Sequence, residues 1–330
     1  MDGRNQPPVA VDPWLSIFEL PAAMVRPAVE SCRYFNTLVD AIFYDVPELV
    51  GDLRRKDIEV TTHRSGKLPS RIIDLGALTD PEGSLLLIDA TTEPYVHRYA
   101  SVEAFLDSPH PETREVDIVT ITGVGSSALG SAAFGWDVSV ALEKPVLAIV
   151  PGYGVADVLL QGLGGYFGFG LHDFLGTKSL VQYSLVHAAP ALARVGRRLP
   201  ATTPEARAVN GAPVFRYGSG SSDVLHALIK ERAARFAAVI GHSKGALQIG
   251  NALRSLDPAK TAGLHVVTLG CPIAEGVPGA QYHQYLGLFD ALGQANMWGH
   301  WPEHWTETWH STNPWLPLTM AAGKIARTSA

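Results

Sequence analysis

The chain has 330 residues, of which 46% are hydrophobic and 18% charged, with a formal net charge of −6 and a mean hydropathy of +0.09. This composition suits a large folded core and excludes a disordered chain. The acidic balance and the lack of a Lys/Arg cluster argue against nucleic acid as a partner. Cys32 and Cys271 are the only cysteines, too few for a disulfide framework or a zinc-finger pattern. The first residues lack the basic start and apolar run of a secretory signal, and no stretch reaches the roughly 18 apolar residues of a membrane span. A cytoplasmic protein without stable membrane insertion is expected.

Residues 1–25, with Pro7, Pro8, Pro13 and Pro21, read as a loose entry segment. Pro27 to Val46 reads as a helix, because Val29, Cys32, Phe35, Leu38, Val39, Ile42 and Phe43 recur at helical spacing and Pro47 would stop it. Residues 1–55 are therefore expected to form a partly helical N-terminal extension, and 56–330 the main domain. Asp57 to His63 alternates like a strand, and Ser84 to Asp89 reads as a short buried strand. Ser101 to Leu106 looks like a short helix.

From residue 115 the pattern becomes regular. Strands are expected at Val116–Thr122, Pro145–Val150, Phe236–Ile240 and Leu264–Leu269, and helices at Ala128–Leu142, Ser222–Ala234 and Ala246–Leu256. Continuous apolar β-runs separated by helices indicate a mostly parallel sheet covered on both faces. About 70 residues separate the Val150 strand from the Ser222 helix, far more than an ordinary strand–helix connection. This stretch holds a Gly- and aromatic-rich run (162–174), a helical part (Leu180–Val195) and a polar loop (Pro200–Pro213), and reads as a lid or cap insertion at about 155–220.

The chemical signal is Gly241-His242-Ser243-Lys244-Gly245, between an apolar strand and an Ala/Leu/Ile helix. A serine hydroxyl is a poor nucleophile unless it is openly presented and paired with a base. A sharp strand–turn–helix presents it, and the flanking glycines let neighbouring backbone pass close by. Upstream, Thr122-Gly123-Val124-Gly125-Ser126-Ser127 ends one strand and Pro151-Gly152-Tyr153-Gly154 ends the next. A dinucleotide-binding turn at Gly123 would need a further Gly at 128, where the chain has Ala128.

With these motifs, residues 115–315 resemble the α/β-hydrolase superfamily, in particular its lipases and esterases. The resemblance implies a fold with a mostly parallel sheet, helices on both faces and an inserted lid. It also implies a serine hydrolase acting on a small-molecule or lipid-like carboxylic ester through an acyl-enzyme on Ser243, without cofactor or metal. The oxyanion hole would be the backbone N–H groups of Val124 (Gly125 being the near alternative) and Lys244. The family's order of Ser, acid, then His points to His310 as base, with His304 and His300 as alternatives, and to Asp290 as acid, ahead of Glu303 and Glu307. Gly125, Tyr153, Phe167 and Trp298 are candidate pocket residues, since residues 298–315 carry five of the seven tryptophans; ordinary core packing is the other account of these aromatics. An acyltransferase or thioesterase on the same scaffold, or a catalytically silent binding protein, are the alternatives. Metal catalysis is disfavoured, because Pro302 lies between His300 and His304 and prevents a helical His pair.

Overall fold

The computed structural model describes residues 34–62, 71–76, 83–99, 101–123, 125–151, 205–209, 212–216, 221–254, 256–273, 276–297 and 300–330. These form an α/β protein around an eight-stranded, mostly parallel sheet. The strands are β3 (Leu85–Ile88), β4 (Val96–Tyr99), β5 (Ile118–Ile121), β6 (Val146–Ile149), β9 (Ala238–His242), β10 (His265–Leu269), β11 (Gln281–Gly287) and β12 (His304–Thr306). Their order is β12-β11-β10-β9-β5-β6-β3-β4. β3 runs antiparallel to both β4 and β6, and the other pairings are parallel. Two small sheets lie apart from it: β1 (Glu59–Thr61) with β2 (Ile72–Asp74), parallel, and β7 (Glu205–Val209) with β8 (Ala212–Arg216), antiparallel.

The sheet sorts its side chains by the two-residue period of a strand. In β6, Leu147 and Ile149 enter one core and Val146 and Ala148 the other; in β9, Val239 and Ile240 divide the same way. Because both faces are apolar, these strands read as unbroken hydrophobic runs in the sequence. One core is closed by α3 (Val102–Leu106), α6 (Ser221–Glu231) and α7 (Lys244–Leu253). The other is closed by α2 (Val46–Arg55), α5 (Ala128–Leu142) and α10 (Ala322–Ser329). Short helices α4 (Glu112–Glu115), α8 (Pro258–Thr261) and α9 (Ala291–Asn296) complete the described elements, with α1 at residues 34–43.

Three expectations are corrected. The N-terminal helix does not run to a stop at Pro47: α1 ends at residue 43, and Pro47 lies in the first turn of α2. A proline there loses nothing, since the first-turn N–H has no helical acceptor. Asp45 supplies the cap by accepting from the Glu48 N–H at 2.9 Å. The polar loop expected over 200–213 contains β7 and leads into β8, because backbone pairing between neighbouring segments makes a hairpin without an apolar signature in the sequence. The helix after Ser243 begins at Lys244, two residues earlier than the hydrophobic periodicity suggests. Within the stretch read as an N-terminal extension, Tyr44, Leu49 and Leu53 are buried against α5 and the sheet, while Tyr34, Phe35 and Leu38 are exposed. No helix among the described residues is long and apolar enough to cross a membrane.

Candidate active site

Ser243 sits between β9 and α7 with φ 55° and ψ −126°. A serine in this region is strained by roughly 1–3 kcal/mol, so the surroundings must enforce the turn. Gly245 shows how. A Cβ on it would stand 2.1 Å from the Ile121 carbonyl oxygen, so only glycine allows α7 to start against the end of β5. The Ser243 N–H is held by the Leu269 carbonyl at 2.8 Å. The turn thus follows from strand, glycine and helix together, and it lifts the Ser243 side chain off the end of the sheet.

The structure brings all three expected partners into one chain of hydrogen bonds. His310 Nε2 lies 2.8 Å from Ser243 Oγ. His310 Nδ1 lies 2.8 Å from each carboxylate oxygen of Asp290. A carboxylate only accepts, so Nδ1 carries the proton, and Nε2 of the neutral ring accepts from the serine hydroxyl. Asp290 follows β11 and caps α9, accepting from the Gly293 N–H at 2.7 Å. It is only 1% exposed, so its carboxylate is held by these bonds and not by water. His304 opens β12 and is exposed, and His300 is exposed; the imidazole on the Ser243 hydroxyl is that of His310.

Gly270, at the end of β10, makes room for this pair. Its φ is +72°, and a Cβ there would stand 3.0 Å from both Asp290 Oδ2 and His310 Nδ1. The sequence reading missed it, although a glycine directly after an apolar strand is a visible sign of close backbone approach.

A second network lies beneath the first. His242 is completely buried, and its Nε2 lies 2.7 Å from the His310 carbonyl oxygen. That oxygen can only accept, so Nε2 bears the proton. His242 Nδ1 therefore accepts from the Tyr44 hydroxyl at 2.9 Å, and the Tyr44 oxygen accepts from the Gly123 N–H at 2.7 Å. Each ring nitrogen of His242 has one role, and the Tyr44 hydroxyl both donates and accepts. Burial, and then the neighbouring His310, pull the His242 pKa down to about 3, so the ring stays neutral. Burial pushes the Tyr44 phenol above its ordinary range. The network ties the end of α1 to the His310 backbone and to the loop after β5. The Phe43 ring meets the His310 ring edge-on at 5.7 Å.

That loop carries the expected oxyanion residues. Gly123 lies against the serine: a Cβ on it would be 3.0 Å from Ser243 Cβ and 3.4 Å from Oγ. Gly125 is buried with φ +74°. Val124 lies outside the described residues. Lys244 is the first residue of α7, and N–H groups of a first helical turn have no intrahelical acceptor. Beyond the loop, Asp40 of α1 accepts from the Ser127 N–H at 3.2 Å and the Ser127 hydroxyl at 2.5 Å. Burial raises its pKa to about 7, against the lowering effect of the Ser127 and Ser126 bonds.

Of the pocket candidates, Tyr153, Phe167 and Trp298 lie outside the described residues. Trp301 and Trp315 are 71% and 69% exposed, so the core-packing account fails for them. Leu288, Phe289 and Leu292, which flank Asp290, are also exposed.

An acid–imidazole–hydroxyl chain of this geometry can pass the serine proton to His310 as the oxygen attacks an electrophile, and the carboxylate stabilises the imidazolium that results. Comparisons with protein-family models, with curated proteins and with solved structures found no match for this chain.

Proposed function

We propose that this protein is a serine hydrolase of α/β-hydrolase type that cleaves carboxylic esters through an acyl-enzyme on Ser243. The observation that carries the proposal is the continuous Asp290–His310–Ser243 chain, each link at 2.8 Å, on a serine held at φ 55°. Hydrogen bonds alone recur in structural clusters, and so do tight turns. Their coincidence at the strand-to-helix turn is what a presented and activated nucleophile requires.

In this reading His310 takes the Ser243 proton as Oγ attacks the ester carbonyl, and then gives it to the departing alcohol. It next takes a proton from water, which cleaves the acyl-enzyme and restores the serine. The oxyanion sits at the N-terminus of α7, where the Lys244 N–H and the helix dipole favour negative charge. The second donor comes from the loop at Gly123–Gly125. Exposed Leu288, Phe289 and Leu292 beside Asp290 favour a substrate with an apolar acyl or alcohol part.

The test is covalent labelling with a fluorophosphonate probe, read by intact mass and peptide mapping. One adduct on Ser243, absent from Ser243→Ala, is expected, together with turnover of short 4-nitrophenyl esters. A folded protein with no adduct on Ser243 would refute the proposal. Product analysis with a competing alcohol separates hydrolysis from acyl transfer.

A further inference from the structure

The His-rich stretch at residues 300–304 has no part in the hydrogen-bond chain, yet the fold gives it a partner that its sequence spacing hides. β12 pairs with β11 in parallel, Tyr285 standing opposite His304. His283 is two residues before Tyr285 on β11, so by the two-residue period of a strand it shares that face of the sheet. His304 is thereby a diagonal neighbour of His283, and Glu303 lies in the bend just before β12. One ligand-type atom from each of His283, Glu303 and His304 falls within 4.8 Å of the other two. No hydrogen bond or ion pair at contact distance is recorded between any two of them.

We infer that His283, Glu303 and His304 bind one divalent late transition-metal ion, zinc being the natural occupant, at the outer edge of the sheet. Two imidazoles and one carboxylate are a donor set that suits zinc, with water as the fourth ligand. With zinc–ligand bonds of 2.0–2.2 Å, tetrahedral ligand atoms stand about 3.3–3.6 Å apart. The three side chains must therefore close by up to about 1.5 Å, a rotamer adjustment within reach of the exposed Glu303 and His304. Two ligands are already oriented by neighbours. His265 Nδ1 lies 3.2 Å from His283 Nε2 with the rings stacked 5° from parallel. The Tyr285 ring stacks on His304 at 4.5 Å. Outer contacts of this kind fix ring orientation at metal sites.

The site lies two to three strand positions from β9, about 10–14 Å by strand spacing, and is not part of the Ser243 chemistry. It does join β11 to β12, an edge strand of three residues. Asp290 follows the first of these strands and His310 the second, so an ion here would pin the edge of the sheet from which both residues extend.

Isothermal titration of tag-free, chelator-treated full-length protein with zinc chloride tests this directly. One zinc per chain at micromolar affinity is expected, with His283→Ala and His304→Ala each weakening binding about 100-fold or more, and His300→Ala leaving it unchanged. Pulsed EPR of the copper(II)-loaded wild-type protein adds a readout that needs no variant, and should report two coordinated imidazoles. The inference is overturned if zinc does not bind one to one, if binding survives both substitutions, or if the copper spectrum shows no imidazole nitrogen.

Discussion

Tyr44→Phe removes one oxygen atom and keeps the ring. That oxygen accepts from the Gly123 N–H at 2.7 Å and donates to His242 Nδ1 at 2.9 Å. Its loss leaves two buried polar groups without partners, each costing about 1–3 kcal/mol. The sum is roughly 2–6 kcal/mol of stability, a large share of the total for a folded chain. Water is poorly suited to repair the gap. Phe43 and Phe134 both pack within 6.2 Å of the His242 ring, and the space left by one oxygen atom is too small to admit a water. Urea unfolding followed by tryptophan fluorescence measures the loss. The same change frees Gly123 from its anchor beside Ser243. A displacement near 1 Å in such a loop costs on the order of 100-fold in rate, so ester turnover should fall 10- to 100-fold with KM little changed. If Tyr44→Phe unfolds within about 1 kcal/mol of wild type, the Tyr44–His242 network is not what holds the loop, and the reasoning fails.

Asp290→Asn retains the shape of the acid but permits the other imidazole tautomer, and should lower kcat by about 10⁴-fold while leaving KM nearly unchanged; steady-state kinetics with a 4-nitrophenyl ester decide it. Gly245→Ala places a methyl group 2.1 Å from the Ile121 carbonyl oxygen and should cost at least about 3 kcal/mol, seen as a lower urea midpoint or loss of soluble protein. His242 is held neutral down to about pH 3, whereas in the unfolded chain it titrates near 6.5. Its folded pKa is depressed, so its contribution to stability is complete above about 6.5 and is lost as pH falls towards 3. Asp40 has the opposite sign. Its raised pKa of about 7 means that stability present below about 4 is lost as pH rises through 7. Urea midpoints across pH 3–8 should thus lose part of their acid fall-off in His242→Gln, and part of their decline between pH 4 and 7 in Asp40→Asn. A profile identical to wild type in either variant would rule that group out.

The serine turn was legible because its causes are local. An apolar strand, glycines that tolerate close backbone contact, and a helix all fall within about twenty residues of Ser243, and each leaves a mark on residue type and period. The order of acid and base that the resemblance implies then singled out Asp290 and His310, and the structure places His310 2.8 Å from Asp290 on one side and 2.8 Å from Ser243 on the other. Short elements were less legible. β12 has three residues, and β11 reads Gln-Tyr-His-Gln-Tyr-Leu-Gly, with too little apolar alternation to announce a strand. Tyr44 and His242 stand 198 positions apart, and His242 and His310 stand 68 apart. Nothing in the neighbourhood of Tyr44 marks it as a partner of the site, and His242 reads as a filler within the serine motif. The amino-acid sequence by itself determined where the strained Ser243 turn lies, since sterics and periodicity act over a few neighbouring residues. Only the tertiary structure decided what holds that turn and what meets at the sheet edge, since strand register and the packing of α1 on the sheet bring together residues that share no local pattern.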